Sequence, residues 1–138
     1  MIIADTGFWV ALFNRNDRHH ARARAVALEL RERLVTTWPV LTEVTHLLAQ
    51  RGHVTLARRF LERCFAGAVE IFELDAEARQ RVLPLMQRYR DLPMDLADAS
   101  LVILAERLGH GRILSTDQRD FETYRWKHHQ PFENLLLA

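Results

Sequence analysis

The stretch MDLADASLVILAERLGHGRILSTDQRDF (residues 94–121) reads as helix, stop, strand and turn in close succession. Pro93 and Met94 lead into Asp95, whose short carboxylate suits the N-cap of a helix. The pattern predicts that this helix runs from about Asp95 to Leu108 and ends at Gly109. Arg112 to Ser115 then predicts a short strand, and Asp117 opens a capped turn towards Tyr124. Asp95 and Asp98 are three apart and share nearly one face of the helix start. If Asp95 caps, Asp98 falls in the first turn, where the helix dipole favours a negative charge.

Outward from this stretch the same alternation continues. Met1 to Ala4 is a brief apolar strand signal, and Asp5-Thr6 can cap a helix through Phe8, Trp9, Val10, Leu12 and Phe13. His20 to Leu34 has a helical pattern, and Val35 to Thr37 is β-prone. Pro39 suits the first turn of a helix to about Arg51, stopped by Gly52. Val54 to Phe65 predicts a further helix, Val69 to Leu74 alternates like a strand, and Ala76 to Tyr89 predicts a helix that Pro84 should kink or divide. The closing ENLLLA suits a last short strand. Strands alternating with helices give an α/β fold with a mainly parallel sheet covered on both faces, and ligands of such sheets bind beyond the carboxyl ends of the strands.

At 138 residues the expectation is a single domain spanning 1–138, with the composition of a soluble globular protein. The apolar stretches are too short to span a bilayer, and the start MIIAD has no basic segment or cleavage site of a secretion signal. Cys64 is the lone cysteine, which excludes an internal disulfide and fits a reducing cytoplasm. The seven histidines have no zinc spacing, and no phosphate-binding glycine loop is present. The net charge of +1 conceals local clusters: Arg15, Arg18, Arg22 and Arg24 in one, Arg58, Arg59 and Arg63 in another. Such stripes are either solvated helix faces or contacts for a polyanion, for which Arg15, Arg18 and Arg22 are the candidates, with His19 and His20 beside them.

Four acids stand where strands or loops meet helices: Asp5, Glu43, Asp98 and Asp117. An α/β fold brings such positions to one sheet edge, and clustered carboxylates stay ionised only beside a neutralising group, for which a hard divalent cation is the usual answer. Glu43 neighbours Val40 and Leu47 at helical spacing, so it should be partly buried, with no arginine a turn away. Phe8, Trp9 and Phe13 read as core or as a contact between copies.

The terminal strand ending in Asp5-Thr6, Glu43 within PVLTEVTHLL, the block PMDLADASLVILAERLG and the later ILSTDQRDF together resemble the PIN-domain ribonucleases, specifically the VapC-type toxins of toxin–antitoxin pairs, across essentially the whole chain. The resemblance implies a three-layer α/β/α domain with about five strands. It implies Mg²⁺ or Mn²⁺ at Asp5, Glu43, Asp98 and Asp117, with Thr6, Ser115, Asp95 and Asp120 in support. It also implies endonucleolytic hydrolysis of RNA by metal-activated water, a cognate small antitoxin, and a homodimer, for which the apolar helices between Leu41 and Phe65 are the expected contact. The rival expectations are a PIN nuclease of RNA maturation or decay without an antitoxin, a receiver-like Mg²⁺-binding signalling domain, and an RNA-binding module with structural acids. Asp5 stands alone where a receiver needs an acidic pair.

Overall fold

Residues 1–137 are described by the computed structural model. The chain runs β1 (Ile2–Ala4), α1 (Thr6–Phe13), α2 (His20–Glu29), β2 (Leu34–Thr37), α3 (Trp38–Gln50), α4 (Val54–Arg63) and β3 (Val69–Phe72). It continues with α5 (Ala76–Arg88), α6 (Leu96–Leu108), β4 (Arg112–Leu114), α7 (Gln118–Thr123), β5 (Arg125–Trp126), β6 (Gln130–Pro131) and β7 (Glu133–Asn134).

Five strands form one sheet in the order β3-β2-β1-β4-β7, and every neighbouring pair is parallel. The central β1 is Ile2-Ile3-Ala4, buried throughout, as a strand covered on both faces requires. Two crossovers carry the chain from β1 to β2 to β3 through α1–α4, and α5–α6 return it to the other side of β1. Right-handed crossovers place these two helix groups on opposite faces, which makes the α/β/α sandwich. The packing agrees: α1 lies against α2 and α3, α3 against α4, and α5 against α6. Helix α6 is the most deeply set, with Ala99 to Ala105 all buried.

Several expectations change. Pro84 neither divides nor ends α5, which is continuous from Ala76 to Arg88. Pro84 and Gln80, whose carbonyl it deprives of a partner, both lie on the exposed face, where water can serve that carbonyl. Helix α2 stops at Glu29, four residues short of β2. Helix α4 gives way at Cys64–Ala68 to a wide turn in which Gly67 takes φ 99°, a left-handed conformation open to glycine. Of the apolar residues in the segment Leu41–Phe65, expected to meet a second copy, Leu41, Val44, Leu48, Ala57 and Phe60 are buried within the chain, while Val54 and Phe65 stay exposed. Phe8 and Trp9 are likewise core, and Phe13 packs edge-on to Phe60. The antiparallel pair β5–β6 had no sequence signal, and of ENLLLA only Glu133–Asn134 joins the sheet, while Ala138 lies outside the described residues.

Candidate functional site: a carboxylate cleft

The chain leaves β1 towards β2 on one side, while β4 lies on the other, so a crevice opens beyond the carboxyl ends of β1 and β4. A cleft of about 570 Å³ occupies it, and Asp5, Glu43, Asp95, Asp98, Asp117 and Asp120 all line it. Asp5 follows β1, Asp117 lies in the turn after β4, and Asp120 in the first turn of α7. Glu43 comes from the second turn of α3, and Asp95 and Asp98 from the start of α6. The four acids expected to meet therefore line one cleft, with Asp95 and Asp120 beside them.

Asp5 is 6% exposed and fixed at both carboxylate oxygens. One accepts from the Thr6 N–H at 2.7 Å, so Asp5 is also the N-cap of α1. The other accepts from the Ser115 hydroxyl at 2.8 Å, and that hydroxyl oxygen accepts from the Asp117 N–H at 2.9 Å. Ser115 therefore ties the first acid to the fourth. The Asn134 side chain brackets Ser115 in turn, donating to its carbonyl at 2.9 Å and accepting from its N–H at 3.3 Å. Gly7 allows this closeness, because a Cβ there would collide with the Thr116 side chain.

At the start of α6, Asp95 accepts from the Asp98 N–H at 2.8 Å and Asp98 accepts from the Asp95 N–H at 3.2 Å, a reciprocal capping box. The buried Tyr124 has its hydroxyl 3.4 Å from Asp98 Oδ2, at the limit of a hydrogen bond. Below, the Ser100 hydroxyl donates to the Ala97 carbonyl at 2.6 Å, so the Thr37 hydroxyl, also 2.6 Å away, must donate to Ser100. This buried pair joins the end of β2 to α6. Asp117 caps α7 by accepting from the Asp120 N–H at 3.3 Å.

Among the described residues, none of these six carboxylates has an arginine or lysine partner. Burial pushes the Asp5 carboxyl up to about 6, against the pull of its Ser115 and Thr6 hydrogen bonds. Burial first, then the charges of Asp95 and Asp5, pushes Asp98 up to about 8. Burial and the Asp117 carboxylate push Asp120 up to about 7. Glu43 is raised by burial and by Asp95 and Asp117, with the nearby Thr6 hydroxyl easing it. That hydroxyl lies too poorly for a full hydrogen bond and is buried without a partner.

Such a site needs positive charge or protons. No three of its side chains converge as a finished ligand cage among the described residues. The donor set still fits a hard divalent ion: it is all oxygen and strongly anionic, and Mg²⁺ keeps most of its waters and needs only one or two direct carboxylates. Asp5, which is buried, and Asp98, which is half-buried and raised in part by the Asp5 charge, are the residues suited to hold it.

One rim of the cleft is basic, formed by Arg18, His19, His46 and Arg51, with Asp17 between them. Asp17 lies 3.8 Å from Arg51 and accepts from the His19 N–H at 2.9 Å. Of the three arginines expected to meet a polyanion, Arg18 alone lines this cleft. Arg15 lines a separate small pocket with His20 and Arg24, and Arg22 donates to the Leu136 carbonyl at 2.9 Å. His46, Arg51, Tyr124 and Asn134 were not singled out from the sequence. His46 is three residues after Glu43 and could have been found by helical spacing; the other three carry no local signal.

The PIN domain family model matches residues 2–127. The ribonuclease VapC26 of Mycobacterium tuberculosis is 28% identical over 124 residues, covering 90% of this chain and 92% of that protein. The crystal structure of Mycobacterium tuberculosis VapC20, described as a sarcin-ricin loop cleaving toxin, superposes with a TM-score of 0.80 at 21% identity, covering 86% of this chain and 92% of that one. Sheet order, the acids at the carboxyl edge and the family model agree, and the chain belongs to the PIN-domain family.

Proposed function

We propose that the protein is a metal-dependent endoribonuclease and the toxin of a toxin–antitoxin pair, acting on RNA in the cytoplasm as a homodimer until a cognate small antitoxin blocks its cleft. The observation that carries this reading is the convergence of six carboxylates with no arginine or lysine partner among the described residues on one cleft at the sheet's switch point. The likeness to the ribonuclease VapC26 over nine-tenths of both chains supports the class of reaction, and PIN-domain nucleases generally use a divalent metal.

Mg²⁺ or Mn²⁺, when bound, would supply Lewis acidity that activates a water and offsets charge developing on a phosphodiester. The residues of the chain do the placing. Ser115 and Thr6 fix the Asp5 carboxylate, so it does not reorganise during the reaction. The capping box aims Asp98 from the first turn of α6. Glu43 and Asp117 stand where they can order water from the two flanks. Arg18 and Arg51, on the rim, can take the phosphate next to the scissile one.

Incubation of the purified protein with total RNA tests this reading. Cleavage should appear with Mg²⁺ or Mn²⁺, vanish in excess EDTA, and fall by at least about a hundredfold in Asp98→Asn, since a metal-held carboxylate has no neutral substitute. Equal cleavage in EDTA would sink it.

A further inference from the structure

Beside the acidic cleft lies a second depression of about 520 Å³, walled by Trp38, Pro39, Leu96 and Ala97. It is continuous with the cleft, because Glu43, His46 and Asp95 line both. Trp38 is the first residue of α3 and remains 42% exposed, while Leu96, the first residue of α6, is 48% exposed. The indole is held in place: its N–H donates to Glu73 at 2.9 Å, and Phe65 leans on it with ring centroids 5.9 Å apart. An aromatic ring fixed in orientation and open to solvent, one side chain away from a catalytic acid, serves no evident purpose in the core.

We propose that Trp38 is a stacking platform for a nucleobase of the RNA substrate adjoining the scissile phosphate, and thus a specificity-determining residue. The inference rests on the nuclease reading of the cleft. A base has the flat apolar face that the slot matches, and its polar edge meets the Thr42 hydroxyl and His46 at the slot's rim. Base–aromatic stacking tolerates any base, so the platform would set the position of cleavage more than its sequence. A second protein copy fits less well, because closing the slot over Glu43 and Asp95 would take their carboxylates out of water.

Two measurements test the platform. In the first, a short cleavable RNA is prepared with a single abasic nucleotide at each position in turn. The wild type should lose about tenfold in kcat/KM at one position beside the cleavage site, while Trp38→Ala should show that loss on the intact RNA and no further loss at that position. Trp38→Phe should recover most of the rate. In the second, tryptophan fluorescence is followed as RNA binds in EDTA, where no cleavage occurs; quenching should be seen in the wild type and be reduced in Trp38→Phe, which still binds. An unchanged abasic profile in Trp38→Ala would overturn the platform. So would an equal loss on every RNA accompanied by a change from dimer to monomer in sedimentation, which would mark the face as a protein contact. If the wild type cleaves no RNA with either metal, the nuclease reading fails by itself, and absent quenching then removes the platform as well.

Discussion

A carboxyl group that is 6% exposed, and that no arginine among the described residues neutralises, is most stable with its proton on. Asp5 has an ordinary value of 3.8 and a folded value of about 6. Between these values the folded chain binds more protons than the unfolded one, so stability falls as pH rises through that window and levels off above it. The loss is about 3 kcal/mol for a shift of this size. Asp98 extends the same fall to about pH 8. His110, which burial lowers, acts in the opposite sense below its ordinary value of 6.5, so the comparison of wild type with variant is the quantity to read. In EDTA at pH 8, Asp5→Asn should melt several degrees above the wild type, the gap should narrow towards pH 5, and the variant should be inactive. A calorimetric scan showing no gap at pH 8 would contradict the assignment of burial as the cause. The place of Asp5 beside the cleft was legible from its position after a strand, but its burial was not, because Ser115, which bonds it, and Asn134, which brackets Ser115, are over a hundred positions away.

At the scale of elements, the start of α6 shows how one carboxylate aims another. Asp95 was read as the cap and Asp98 as the first-turn acid, and the capping box has both in those places. Local rules sufficed there because the pairing spans three residues. Asp95→Asn keeps an oxygen that can accept from the Asp98 N–H, so it should fold normally and keep most of its activity. Asp95→Ala removes the cap, should cost about 1 kcal/mol of stability, and should lower kcat/KM by letting Asp98 drift. Thermal melts and rates of the two variants distinguish the roles: if Asn is as inactive as Ala while remaining stable, Asp95 works through its charge. The β5–β6 hairpin was illegible for the opposite reason. Its turn places Lys127 and His128 at φ 48° and 67°, a conformation usually announced by glycine or asparagine, and the sequence there has neither. Arg88, which donates to both the ring and the carbonyl of His128 at 2.8 Å, holds that turn from a helix forty residues earlier.

Over the whole molecule, the alternation of strands and helices made a parallel sheet predictable, and placing acids after strands made their common edge predictable. The strand order was not readable from periodicity, although it is what sets β1 beside β4 and so brings Asp5 to Ser115. The same uncertainty bears on the expected contact between copies: apolar faces of α3 and α4 look alike in sequence whether they meet α1 or a second chain. Every role proposed for these residues depends on whether this assembled cleft cuts RNA. The most direct measurement is to induce wild type and Asp5→Asn in cells and map the new RNA 5′ ends across all transcripts. The prediction is growth arrest and discrete new ends bearing 5′-phosphates in the wild type alone. The same ends in Asp5→Asn, or none in the wild type, would contradict it.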